Sequence, residues 1–148
     1  MNPLDELYQL VILEHSRRPQ NYGPQPVPPA FHAEGINPSC GDELEVWVTF
    51  APDGTIQKVS FQGQGCAISQ SAASIMTVKA AGLAIAEARG LISDFHDIVT
   101  GTAGDPDLKR FGEMAAFAGV RQFPQRVKCA MLGWRALEQA LMQANPAS

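Results

Sequence analysis

Strand-type alternation ends in this chain at Gly65, and the residues beyond it are patterned for helices; this division restricts the fold more than any other feature. Leu44, Val46, Val48 and Phe50 alternate with Glu43, Glu45 and Thr49, as in a strand with one buried face. The tetrapeptide PDGT then makes a turn. Ile56, Val59 and Phe61 return as a second strand whose period slips near Gln57 and Lys58, as at a bulge, and Phe31 to Ile36 reads as a further short strand. Before these, Leu4, Leu7, Tyr8, Val11 and Ile12 recur at helical spacing until Arg18-Pro19 stops them, and NYGPQPVPPA reads as an extended surface segment. After them, Ser69 is placed to cap a helix carrying Ala72, Ile75, Met76 and Lys79, and a second helix runs from Ile85 to Val99. Leu108 to Phe117 reads as a short helix, VRQFP as a loop, and Gln125 to Gln143 as a last helix with Val127, Met131, Trp134, Leu137 and Leu141 inward. The sum predicts an α+β fold, a small antiparallel sheet of about three strands packed against several helices.

At 148 residues and 45% hydrophobic, the chain suits one domain spanning residues 1–148 with one core. A net charge of -4 offers no general attraction for nucleic acid or anionic lipid. No apolar stretch approaches a membrane span, and MNPLDELYQL is acidic where a signal peptide is basic, so the expected location is cytoplasmic.

Three cysteines in a reducing compartment point to metal binding or sulfur chemistry rather than to a disulfide framework. Cys40 leaves the turn PSCGD, where Gly41 accepts backbone angles closed to other residues. Cys66 sits where GQGC ends a strand and starts a helix, whose positive end favours a thiolate. Cys129 falls in the first turns of the last helix. With Asp42 they make four negative donors, the number a closed tetrahedral zinc site takes. Arg121, Arg126 and Lys128 flank Cys129 and are candidate contacts for a persulfide or an acidic partner. His15, His32 and His96 have no ligand spacing and read as core or surface residues; Tyr8 and Trp134 read as core, and the serines of AISQSAAS as helix caps.

LYQLVILEHSRRPQNYG, NPSCGDELEV, FQGQGCAISQSAASIM and GVRQFPQRVKCAMLGWRALEQAL together resemble the U-type iron-sulfur cluster assembly proteins, the IscU/NifU N-terminal family, over nearly the whole chain. Within that family the chain looks most like the SufU branch. Lys128 stands where IscU-type scaffolds have a His, their Leu-Pro-Pro-Val-Lys segment is absent, and the stretch from Cys66 to Cys129 is longer, as in SufU-like proteins.

The resemblance implies metal ligation by Cys40, Asp42, Cys66 and Cys129. It also implies sulfur relay from a SufS-type, pyridoxal-phosphate-dependent cysteine desulfurase, which the protein stimulates, onward to SUF cluster-assembly proteins. If the chain counts as an enzyme, it is a zinc-dependent sulfurtransferase. Cys40, on the mobile Pro/Gly turn, is the expected persulfide acceptor. Two alternatives remain open on sequence: a scaffold that transiently holds a 2Fe-2S cluster or iron on the same ligands, and a non-catalytic structural zinc module that docks a partner.

Overall fold

The computed structural model describes residues 3–102 and 104–144. Helix α1 (Pro3–Arg17) is followed by strands β1 (Phe31–Asn37), β2 (Asp42–Phe50) and β3 (Ile56–Gln64). Helices α2 (Ala67–Ala80), α3 (Ile85–Thr100), α4 (Leu108–Phe111), a 3-10 segment (Gly112–Gln122) and α5 (Pro124–Ala144) come after them. The strands form one antiparallel meander in the order β1-β2-β3, as the alternation predicts. The side chain of Leu4 lies outside the described residues. Among the described residues, no helix is long and apolar enough to cross a membrane.

Register decides which side chains reach the core. Val46 pairs with Ala33 and Phe61, and Val48 with Phe31 and Val59, so these residues share one face with Leu44. Leu44, Val46, Val48, Val59 and Phe61 are all buried there. Asp42 is in phase with this set, because side chains two residues apart on a strand point the same way, and it is carried onto the buried face. Thr49 pairs with Lys58 and Phe50 with Ile56, leaving Gln57 unpaired, which is the slip expected near Gln57 and Lys58. The extended segment after α1 covers the open edge of β3: the Gly23 N–H donates to the Phe61 carbonyl at 2.8 Å and the Phe61 N–H to the Asn21 carbonyl at 3.2 Å.

Helices α2 and α5 cross beneath the sheet. A Cβ built on Gly133 of α5 would stand 2.9 Å from the Ala73 Cβ of α2, and one on Gly35 of β1 would stand 2.9 Å from the Leu132 carbonyl oxygen. Small residues at both crossings let α5 lie close to α2 and to β1. Trp134 locks the arrangement: its ring stacks on Phe95 at 4.2 Å and its Nε1–H donates to the Ala72 carbonyl at 3.1 Å. His15, buried on α1, has Nδ1 2.8 Å from Ser74 Oγ and Nε2 3.1 Å from Glu113, joining α1, α2 and the 3-10 segment. It is a core histidine, as expected. Tyr8 is half-buried, its ring against Gly119.

Three local expectations change. Ser69 is not the cap of α2; Cys66 is, its sulfur accepting the Ser69 N–H at 3.4 Å, so the helix starts three residues earlier. The helix expected over Leu108 to Phe117 ends after one turn, because Gly112 takes φ +56 and the chain continues as 3-10 helix. The VRQFP loop shrinks to Phe123: Val120 is buried and holds the 3-10 winding through Gln122, while Pro124 is pre-shaped for the first position of α5.

Gly63 takes φ +146, and a Cβ there would collide with the Glu43 carbonyl on the neighbouring strand. Gly63→Ala is therefore expected to destabilise the protein by about 2 kcal/mol, read as a fall in Tm of roughly 4–8 °C. An unchanged Tm would mean that β2 and β3 do not approach as described.

Candidate metal centre

The candidate residues arrive from the β1–β2 turn, the start of β2, the cap of α2 and helix α5. β1 and β2 are joined by a four-residue turn, 38–41, in which the Asn37 carbonyl accepts the N–H groups of Cys40 at 3.3 Å and Gly41 at 2.9 Å. Gly41 sits at φ +76, the left-handed angle its position in PSCGD suggests. The turn presents Cys40 to solvent. Two residues on, the strand phase buries Asp42 at 5% exposure. Cys129, on the second turn of α5, is 3% exposed.

These three converge. The Cys40 and Cys129 sulfurs are 3.7 Å apart, and the ligand atoms of Cys40, Asp42 and Cys129 all lie within 4.8 Å of one another. Cys66 falls outside that group but lines the same cleft of about 420 Å³. Its backbone N–H donates to Asp42 Oδ1 at 3.2 Å, so the carboxylate is seated at the start of α2, where a helix favours negative charge. Gly65 permits the approach: a Cβ there would stand 3.2 Å from the Asp42 carboxyl carbon and would overlap Ser69 Oγ.

Two features define the chemistry. Asp42 Oδ2 is buried and is the one such side-chain oxygen or nitrogen without a hydrogen-bond partner among the described residues. A buried carboxylate oxygen with no donor costs stability unless a cation meets it. The Cys129 thiol is pushed up to about 12, first by burial, then by its hydrogen bond with Cys40 and by the negative charge of Cys66 and Cys40. The pocket therefore resists further negative charge by itself, and a divalent cation reverses that balance. Three sulfurs and one carboxylate fit zinc in donor type and number.

The flanking cations divide. Arg126 and Lys128 line the cleft. Arg121 does not: its guanidinium pairs with Asp105 at 2.7 Å and its stem lies against Gly101. Its place in the 3-10 segment turns it toward that loop, which proximity in sequence to Cys129 does not reveal. Burial also raises the Tyr8 phenol, against the opposing effect of Arg126 and with a further upward push from Cys66.

Sequence reasoning missed Asn37. Beyond its carbonyl's role, its Oδ1 accepts the Ser39 N–H at 3.2 Å and its Nδ2 lies 4.0 Å from the Cys129 sulfur. The Asn-Pro pair is the available signal, since asparagine commonly fastens a turn two residues on. His32 has no ligand spacing in the sequence, yet register places it with Glu34 and Glu45 on the outer sheet face, 3.1 Å from Glu45. His96 is half-buried beside Asp97.

Residues 7–145 match the NifU-like N terminal domain family. The chain is 37% identical over 97% of its length to the iron-sulfur cluster assembly scaffold protein IscU of Streptococcus pyogenes serotype M1, covering 88% of that protein. It is also 37% identical over 93% of its length to the zinc-dependent sulfurtransferase SufU of Bacillus subtilis strain 168, covering 91% of it. Among solved structures, FiSufU of Fervidobacterium islandicum AW-1, a candidate iron-sulfur cluster assembly scaffold for the SUF system, superposes with a TM-score of 0.75 at 30% identity, over 92% of this chain and 97% of that one.

If Asp42 Oδ2 awaits a cation, Asp42→Asn should act with opposite sign in two conditions. With chelator the variant is expected to match or exceed wild-type Tm, since an unpaired buried charge is gone. With zinc it is expected to fall roughly 5 °C or more below wild type, because a ligand is lost. Equal shifts in both conditions would contradict the cation assignment.

Proposed function

The chain belongs to the NifU-like N-terminal domain family, and from that premise we propose that it serves iron-sulfur cluster assembly as a zinc-bound sulfur acceptor. It takes persulfide sulfur from a SufS-type cysteine desulfurase and stimulates that enzyme. The observation that carries the reading is the contrast within one cluster: Cys40 is exposed on a glycine turn, while Asp42 and Cys129 beside it are buried. One thiol is free to meet a partner while its neighbours stay in place.

The ligand set is Cys40, Asp42, Cys66 and Cys129. Zinc supplies stabilisation of the thiolate form on its ligands and restrains their reactivity. The turn at 38–41 lets Cys40 move outward with little loss of packing. Its thiolate attacks the outer sulfur of the desulfurase persulfide; the S–S bond of the donor breaks, the donor cysteine leaves as thiolate, and a persulfide forms on Cys40. Arg126 and Lys128, on the cleft wall, favour the approach of the negatively charged donor sulfur and of an acidic partner surface. The sulfur then passes to downstream SUF assembly proteins. Residues 1–148 act as one domain, and the reduced thiols the reading needs are those of a cytoplasmic protein.

A scaffold role for a 2Fe-2S cluster uses the same ligands, and the Streptococcus relative bears that name at equal identity. Lys128, where IscU-type scaffolds carry histidine, favours the sulfur-acceptor reading. Protein purified in air without added metal is expected to be colourless and to hold about one zinc per chain; brown, iron-rich protein with little zinc would support the scaffold.

Cys40→Ser is expected to abolish sulfur acceptance and the accompanying rate stimulation while desulfurase binding persists, because docking is spread over many surface residues. Alkylation and peptide mass analysis after incubation with desulfurase and cysteine locate the added sulfur, a gain of about 32 Da. Sulfur on Cys66 or Cys129 alone would reassign the acceptor, and docking with no transfer would leave a structural zinc module.

A further inference from the structure

We propose that Cys129 is the resolving thiol for a persulfide on Cys40: its sulfur attacks the inner sulfur of Cys40, releases hydrosulfide and leaves a Cys40–Cys129 disulfide. This gives the protein a second output, inorganic sulfide, beside the transferable sulfur of the relay. The inference rests on Cys40 being the acceptor, as proposed above.

The geometry points to one pair. The Cys40 and Cys129 sulfurs already touch at 3.7 Å, in a contact where either can donate the hydrogen. A disulfide needs them at about 2.05 Å, a closure within reach of a side chain on an exposed turn beside a left-handed glycine. Cys129 is held by α5 and buried, so Cys40 makes the movement. Cys66 is also near enough to Cys129 to raise its thiol, but it contributes less than burial and the Cys40 hydrogen bond, stands outside the close group, and has its sulfur engaged at the start of α2, where it accepts the Ser69 N–H. Burial keeps the Cys129 thiol in its protonated form and away from bulk solvent, so the contact with Cys40, and not a standing thiolate, is what selects it: attack and loss of its proton to the departing sulfur go together.

The step balances. The bond between the inner and outer sulfurs of the Cys40 persulfide breaks and the Cys40–Cys129 bond forms. The outer sulfur leaves with the electron pair, reduced to the level of sulfide, and takes the proton that Cys129 gives up. The two cysteine sulfurs are together oxidised by two electrons, and a dithiol reductant restores both thiols, its own sulfurs becoming a disulfide. Because the same two sulfurs belong to the proposed ligand set, disulfide formation removes two of the four ligands, and bound zinc is released with it.

The test uses protein as purified, with desulfurase and cysteine, without added reductant, in wild type, Cys129→Ser and Cys66→Ser. Sulfide is measured by a trapping dye, zinc by a chromogenic chelator, and the cysteines by alkylation and mass mapping. Wild type is expected to release about one sulfide per chain above the desulfurase alone, to lose its zinc and to yield a peptide pair joined through Cys40 and Cys129. Cys129→Ser should show no added sulfide and keep the extra sulfur on Cys40; Cys66→Ser should retain the Cys40–Cys129 link. Wild type that keeps the persulfide on Cys40, with Cys129 a free thiol and no added sulfide, would overturn the inference. So would a Cys40–Cys66 link. Absence of sulfur from Cys40 in both wild type, as persulfide or disulfide, and Cys129→Ser would instead overturn the acceptor assignment. The wild-type linkage map decides the matter even if Cys129→Ser folds poorly.

Discussion

The hydrogen bond from the Cys66 N–H to Asp42 Oδ1 ties the first residue of β2 to the cap of α2, and the site is organised around it. Asp42 is on the core face because it shares the phase of Leu44, Val46 and Val48, so the same alternation that builds the core also buries a carboxylate. A buried carboxylate needs donors or a cation. The helix start supplies one donor, and Oδ2 is left for something else. Helix α5 then brings Cys129 to the same point, because glycines at 35 and 133 let it lie against β1 and α2.

This architecture grades the three thiols by their supports. Cys129 is held in a packed helix, Cys66 caps a helix that is buried over most of its length, and Cys40 rides a four-residue turn. Exposure rises in that order without any change in side-chain chemistry. The proposed sulfur-acceptor role would use that gradient, with the packed members keeping the geometry while the turn presents Cys40. Arg126 and Lys128 add positive charge on the open side of the cleft.

Much of this is legible in the residues. Alternation over 44–50 and the slip near Gln57 specify the sheet and its bulge, because a strand with one buried face leaves an unambiguous period-2 pattern. Donors from Cys40, Asp42 and Cys129 converge as the motifs suggest, with Cys66 on the same cleft. The features that escape have identifiable causes. Cysteine is seldom considered as a helix cap, so Ser69 takes that role in the sequence pattern. The 3-10 winding of Gly112–Gln122 depends on burial of Met114, Phe117 and Val120 against other helices, which no local period records. Distance along the chain puts Arg121 near Cys129, whereas its direction is set by that winding. Asn37 acts mainly through its backbone carbonyl and a turn-closing side chain, a role that residue type alone hardly distinguishes from an ordinary turn.

Three sulfurs and one carboxylate oxygen, drawn from β2, the start of α2, α5 and the turn before β2, are the shell proposed to enclose a single metal ion. X-ray absorption at the zinc edge of the purified protein measures that shell directly. Three sulfurs at about 2.3 Å and one oxygen at about 2.0 Å are expected. A shell with fewer than three sulfurs, or one dominated by nitrogen and oxygen, would contradict the proposed ligand set.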